Sequence, residues 1–305
     1  MRRIWHTASM LIVSGVAVSF VLPTAAEANP NDISIRGLGR PKSASLKDPA
    51  VQRFQKLTSE LALAIAPRAL APAETLGMSG FEFSIVSTTA DISEKADYWQ
   101  GQPGQPIFEG VLKAHGSRQI PGTFWIPTAH LRKGLPLSSE IGISGGYLAY
   151  SEMIMMGAEF KIALHESYFR WVPAIAVRGA AGRLFGSSDI DMITAEFDGI
   201  ASLPFGLGGM VQLTPYVGYG RLYAHVNSQV LDETPYLVLD NNDQKGGTDG
   251  SLYTFPTLDL WDNSHTRFFF GLRLNVAMLE LLYELNLGFT DKTLQSHSIK
   301  LGFDV

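Results

Sequence analysis

The chain has 305 residues, 46% of them hydrophobic and 17% charged, which excludes a disordered protein and leaves room for one large domain or two small ones. It holds no cysteine, which excludes a disulfide framework and any thiolate nucleophile or thiolate metal site. A formal net charge of −5 argues against nucleic acid as a partner.

Arg2 and Arg3 precede an apolar core from Met10 to Leu22, and Ala26-Glu27-Ala28 supplies a small-x-small cleavage pattern. Residues 1–28 therefore read as a secretory signal peptide, with the mature chain beginning at Asn29. The apolar core, about thirteen residues, is short of the roughly twenty that a spanning helix needs. Asn29 to Lys47 is polar with scattered Gly and Pro, and reads as a flexible arm. Asp48-Pro49 then opens a helix, Asp as N-cap and Pro at the first helical position. Val51, Phe54, Leu57, Leu61 and Ile65 share one stripe, and Pro67 ends the run. Such a helix needs an apolar partner. The expected placement is a barrel rim or a partner in the periplasm, with a plug in the lumen or a helix lying on the membrane as the other two, so residues 29–78 are expected to form a periplasmic arm and helix.

From Ser79 onward the period changes to two, the signature of strands with distinct faces. Phe81, Phe83 and Ile85 alternate with Glu82, Ser84 and Ser87 in the first strand, and a connection of about thirty residues leads to a second near Thr123 to Lys133, interrupted by Pro127. After Gly134-Leu135-Pro136, Ile141, Ile143, Gly145 and Tyr147 face away from Glu140, Gly142, Ser144 and Gly146. Ala158, Phe160, Ile162 and Leu164 oppose Glu159 and Lys161, and a short turn at His165-Glu166-Ser167 precedes a strand with Phe169, Trp171, Ile175 and Val177 opposite Arg170 and Arg178. Gly186 to Asp189 turns the chain into a strand with Ile193, Phe197 and Leu203 against Thr194, Glu196, Asp198 and Ser202. Gly206 to Gly209 reverses it into a seventh strand from Met210 to about Asn227, and a polar loop from Ser228 to Asn263 follows. Ser264 to Val305 then reads as a hairpin and a closing strand, with Arg267, Arg273, Glu284 and Lys300 on the face opposite the apolar side chains.

The pattern amounts to about ten strands, apolar toward lipid and polar inside, which is an all-β fold closed as a transmembrane antiparallel up-and-down barrel over residues 79–305. An even strand number brings both ends of the barrel to one side, and with the N- and C-termini in the periplasm both long loops face outward while the short turns face inward. Phe81, Phe169, Trp171, Phe205 and Phe303 then fall at the inner rim, and Phe185, Tyr223, Phe268 and Phe289 at the outer one, as two interfacial girdles. In this alternation the chain resembles the Gram-negative outer-membrane β-barrel proteins over roughly three-quarters of its length. The resemblance implies outer-membrane lipid and the barrel-assembly machinery as partners, with small solutes as possible cargo. Val305 ends the chain where such proteins typically end in an aromatic residue, and Phe303 stands two positions earlier on the same face.

The charges expected to line the lumen are Glu140, Glu159, Lys161, Arg170, Arg178, Glu196, Asp198, Arg267, Arg273, Glu284 and Lys300. In a narrow barrel they form either a hydrogen-bonded core or the selectivity lining of a pore. Two other chemistries compete with these. Asp259, Asp262 and His265 gather at one rim, where outer-membrane proteases resembling the omptins keep acidic and histidine residues, but the paired acids of that family are not recognisable here. Asp240 to Asp243 with Gly246, Gly247 and Asp249 offers oxygen ligands without the spacing of an EF-hand loop. No cofactor and no resident metal is expected. The leading functional reading is a small passive pore, transport or structural barrel. The alternative is a surface binding or adhesion protein working through its two long loops, and the third an outer-membrane hydrolase.

Overall fold

The computed structural model describes residues 31–102, 105–108, 120–166, 172–207, 210–232 and 252–304. The signal peptide, Phe169, Arg170, Trp171, the Asp240 to Asp249 segment and Val305 lie outside the described residues.

Ten long strands form one sheet: β1 (Phe81–Asp91), β2 (Thr123–Leu135), β3 (Ser139–Tyr147), β4 (Ile154–His165), β5 (Ala174–Phe185), β6 (Ile190–Ser202), β7 (Val211–Ser228), β8 (Ser264–Val276), β9 (Leu279–Phe289) and β10 (Thr293–Asp304). Each pairs antiparallel with the strand before and after it, and β10 returns to β1 with Leu301 opposite Ile85, so the sheet closes. A three-residue strand, Phe205–Leu207, folds back onto the start of β7. Pro127 fits inside β2 because the ladder to β3 begins at Thr128, which leaves the proline at a ladder end on that side.

Alternating burial along β1 puts Glu82, Ser84, Val86, Thr88 and Ala90 inside and Phe81, Phe83 and Ile85 outside. The exterior is apolar all round, with Ile143, Met156, Phe197, Phe270 and Leu301 all exposed. A soluble monomer does not present an apolar surface of that extent, so its solvent is lipid, and closure satisfies the strand backbone groups that lipid cannot.

Two glycines are placed by close approach. Gly218 stands opposite Phe269 and Gly271 opposite Tyr216 in the β7–β8 ladder, and a Cβ on either would lie 2.0 Å from the facing ring. Each aromatic ring thus covers a glycine on the neighbouring strand, inside the lumen. Gly271→Val is expected to destabilise the barrel by about 1–3 kcal/mol through overpacking, read as a lower urea midpoint in detergent, and Tyr216→Ala in the same chain should recover part of it. An unchanged midpoint for Gly271→Val would show that the ring has room to move.

The N-terminal region is where expectation and structure part. The helix α1 (Pro49–Ile65) forms as read, with the Asp48 side chain accepting from Ala50 N. It does not sit beside the C-terminus. Gln55 donates to the Asp262 carbonyl at 2.6 Å, Ser59 to Asn263 at 2.8 Å, and Lys56 pairs with Asp291 at 2.6 Å, all at the rim that carries the long connections. Leu63 packs on Gly288, inside the barrel wall. Residues 66–75 then run down the lumen to the rim of short turns, where β1 starts. Asn31 bonds to Tyr150 at the loop-bearing rim and Asp304 to Met278 at the other, so the two described ends lie at opposite rims rather than sharing one. The arm is also folded, not loose: Ile33, Ile35 and Leu38 are buried, and Ser34 and Ile35 both donate to Asp189. The cause lies in the apolar stripe of α1. Its partner is an interior lined by Phe124, Ile126, Met155, Leu184, Met192 and Leu222, which together with the helix makes the main core.

Candidate functional site: a charged wall around a threaded segment

Below the α1 core the lumen wall is ionic. Glu280 on β9 meets Lys300 on β10 at 2.6 Å, and Lys300 meets Glu82 on β1 at 2.6 Å. Glu82 lies 3.6 Å from Arg132 on β2, Arg132 is 2.7 Å from Glu159 on β4, and Glu159 is 2.7 Å from Arg178 on β5. Arg178 reaches Glu196 at 3.3 Å and also Asp198, both on β6, and Glu196 pairs with Arg267 on β8 at 2.5 Å. The chain of pairs thus circles most of the barrel with alternating sign. It skips β3 and β7, and each supplies a glycine at the skipped position. Gly142 stands between Arg132 and Glu159, where a Cβ would lie 2.8 Å from the Glu159 carboxylate, and Gly220 stands between Asp198 and Arg267 in the same way.

The remaining expected residues fall close by. Glu140 pairs with Lys161 at 3.0 Å, Arg273 with Glu74 at 3.0 Å, and Glu284 accepts from Tyr216 at 2.8 Å. Glu82, Arg132, Glu280 and Glu74 belong to the network although they are absent from the set expected from sequence. The signal for the first three is present, since they occupy inward positions of their strands. His265 bonds Asn263 at 2.7 Å, Asp259 lies 3.6 Å from His225, and Asp262 offers its carbonyl to Gln55, so the three residues of the possible hydrolytic group are engaged separately. Glu166 accepts from Thr75 and Ser138. Burial raises its pKa, but these hydrogen bonds hold it below the ordinary carboxylate value.

The wall's cations do more than pair with carboxylates. Arg132 donates to the Leu70 carbonyl at 3.0 Å and to that of Ala69, Arg178 to Arg68 at 3.1 Å, Lys161 to Pro72 at 2.8 Å and Glu74 at 2.9 Å, and Lys300 to Leu70 at 2.9 Å. In the other direction the Leu70 amide donates to Glu284 at 3.0 Å, Ala73 to Ser202 at 3.1 Å and Thr75 to Glu166 at 3.1 Å. An irregular segment in a lumen has to find partners for its backbone, and here the wall provides them. Lys300 shows the result: it pairs with Glu82 and Glu280 and donates to the Leu70 carbonyl.

At the loop-bearing rim another buried carboxylate, outside the wall, organises a cap. Glu60 on α1 accepts from Ser93 N at 2.9 Å, the Tyr98 hydroxyl at 2.7 Å and the Trp99 indole at 2.6 Å. Burial first, and then the Glu60 carboxylate, push the Tyr98 phenol well above its ordinary pKa. The hydrogen bond from Lys56 to Asp291 raises the Lys56 amine above its own. Trp99, bonded to Glu60, stacks on Phe108 at 5.5 Å, and Phe54 stacks on Phe255 at 4.6 Å, so the described parts of both long connections fold onto the helix.

No family model and no curated protein matches the chain. Among solved structures, the N-terminal β-barrel domain of OprF from Pseudomonas aeruginosa aligns over 75% of this chain and 99% of its own, at 12% identity and a TM-score of 0.29. The attachment invasion locus protein Ail of Yersinia pestis aligns over 75% of this chain and 99% of its own at 10% identity and a TM-score of 0.28. The translocator domain of the autotransporter NalP from Neisseria meningitidis aligns over 86% of this chain and 99% of its own at 7% identity and a TM-score of 0.32. Its own strand ladder and apolar exterior make the chain a membrane-spanning antiparallel β-barrel of the outer-membrane type.

Proposed function

We propose that this chain is an outer-membrane barrel closed to passive solute flux, which acts as a surface binding protein through its loop-bearing cap. The supporting observation is the filled lumen: α1 occupies one half, and residues 66–75 are bonded to the ionic wall through the other. In this reading the charges hold a plug in place and do not select among ions. The cap, built from residues 31–65 and the described parts of the connections after β1 and β7, is the part left to meet a partner outside the cell.

Planar-bilayer recording and single-cysteine labelling test the two halves of the proposal. The purified full chain is expected to give no conductance steps, and steady channel openings would overturn the closed state. Because the chain has no cysteine of its own, one introduced residue is a clean reporter. Ala44→Cys, in the exposed part of the arm, should react with a membrane-impermeant maleimide in intact cells, and Leu137→Cys, 93% exposed at the opposite rim, only after lysis. The reverse pattern would place the cap in the periplasm and remove the surface role.

A further inference from the structure

The apolar exterior is not equally tall all round. Successive lipid-facing residues stand about 5 Å apart along the membrane normal, from a rise of about 3.3 Å per residue and a tilt of about 40°. On β9 the outward row of Leu279, Leu281, Tyr283, Leu285, Leu287 and Phe289 therefore covers about 25 Å, the height of a whole apolar band. β4 does the same from Ile154 to Leu164. At the closing seam the apolar row is half as long. Phe81, Phe83 and Ile85 on β1 face lipid beside Phe303, Leu301 and Ile299 on β10, and above them come Ser87 and Thr89 on one strand, His297 and Gln295 on the other. Thr89 stands directly opposite His297, so the two polar rows lie side by side. They cut a notch two strands wide into the upper half of the band, and it opens toward the loop-bearing rim.

Both flanks lean into the notch. The Tyr283 hydroxyl on β9 lies 2.8 Å from His297 Nδ1, and the Trp125 indole on β2 donates to Ser87 at 3.0 Å. The Thr89 hydroxyl, the Gln295 amide and the second ring nitrogen of His297 belong to the same outer face. In hydrocarbon a polar group without a partner is costly, so this face suits a neighbour that brings hydrogen bonds of its own. The notch is continuous with the membrane interface at its upper end, where headgroups already stand. Its charge narrows the choice. Neither β1 from Ser87 to Thr89 nor β10 from Gln295 to Ile299 turns a Lys, Arg, Asp or Glu outward, so the notch has no fixed counter-charge for a phosphate. Hydroxyls, which both donate and accept, match its hydroxyl, amide and imidazole groups. We infer that lipid headgroups of the leaflet at the loop-bearing rim descend into this notch, and that its side chains bind the hydroxyls of a glycerol or sugar headgroup over the β10–β1 seam. The inference rests on the barrel's place in a bilayer and not on the closed lumen or the role of the cap.

The test places one fluorescent dye on the full chain, which has no cysteine of its own, through Gln295→Cys in the notch or Leu287→Cys beside it. Leu287 faces Gln295 across the β9–β10 ladder, so the two dyes start within about 3 Å of the same depth. Each protein is reconstituted in vesicles of phosphatidylcholine, of phosphatidylglycerol, or of phosphatidylcholine with added galactosyl diacylglycerol. Both leaflets then have one composition, and orientation does not matter. A trace lipid carries a quenching nitroxide on its headgroup or deep in its acyl chain. With either hydroxyl-bearing lipid present, the headgroup nitroxide should quench the dye at 295 at least threefold better than the chain nitroxide, and the order should reverse at 287. A response to only one of these two lipids supports the inference and names the source of the hydroxyls. Thr89→Val combined with His297→Leu should bring the dye at 295 to the pattern seen at 287. Better quenching at 295 by the chain nitroxide, the same preference in phosphatidylcholine alone, or no effect of the paired substitutions in a barrel that still resists SDS would each overturn the inference.

Discussion

Arg178→Met is expected to lower the stability of the folded barrel by about 3–5 kcal/mol, the range for breaking a buried ion pair by removing one partner. The Arg178 guanidinium is the only cation bonded to Asp198 among the described pairs, and it also touches Glu159 and Glu196 and donates to the Arg68 carbonyl. Methionine matches its length and leaves three carboxylates inside the lumen short of their counter-ion, while the segment loses a donor. Equilibrium unfolding in urea, followed by tryptophan fluorescence in detergent, measures the loss. Arg178→Lys should recover only part of it, because an ammonium is a point charge that cannot span Glu159 and the β6 carboxylates as the guanidinium fork does. A shift below about 1 kcal/mol for the methionine variant would mean that water or a neighbouring cation compensates, and the ring would lose its structural role.

Glu60→Ala should act on the cap and spare the wall. It leaves the Tyr98 hydroxyl, the Trp99 indole and the Ser93 amide without their acceptor, each orphan costing about 1–3 kcal/mol if it stays buried. Since Glu60 lies outside the strand ladder, the barrel should keep its resistance to unfolding by SDS at room temperature. The connection between β1 and β2 should become sensitive to limited proteolysis. Glu60→Gln, which keeps an acceptor oxygen, should fall between the two. Loss of the folded barrel in Glu60→Ala would show that cap and barrel fold as one unit.

Much of the architecture is legible because a barrel writes itself in one dimension. Alternation assigns each strand residue to lipid or lumen, and it places Glu159, Lys161, Arg178, Glu196, Asp198 and Lys300 on the buried face directly. What alternation does not carry is the partner across strands, which depends on register and tilt. Hence Glu82 and Arg132, which face each other in the ladder, do not stand out as a pair, the latter in a strand obscured by Pro127. The glycines are a further signal: Gly142 and Gly220 stand at inward positions amid charges, where a missing side chain makes room for a neighbour. The helix is visible, but an amphipathic stripe states only that a partner exists. Residues 66–75, rich in Ala and Pro, have no period that would assign them a face or a partner. Their role comes from the wall's surplus of donors, a property of ten strands taken together.

The order in which this molecule can be put together follows from where its N-terminal region ends. The helix α1, about 10–12 Å across with its side chains, is wider than the irregular segment below it, and β1 continues from that segment at the far rim. The finished protein is therefore a bead on a string passed through a ring, and the ring is shut where β10 meets β1, by the backbone ladder together with the Glu82–Lys300 pair and the Thr88–Ser298 hydroxyl contact. Sliding the string out would mean dragging α1 past the ionic wall, so the direction of threading is fixed when the last strand seals against the first. Sidedness in this protein is a record of its assembly, and reversing it requires opening that seam.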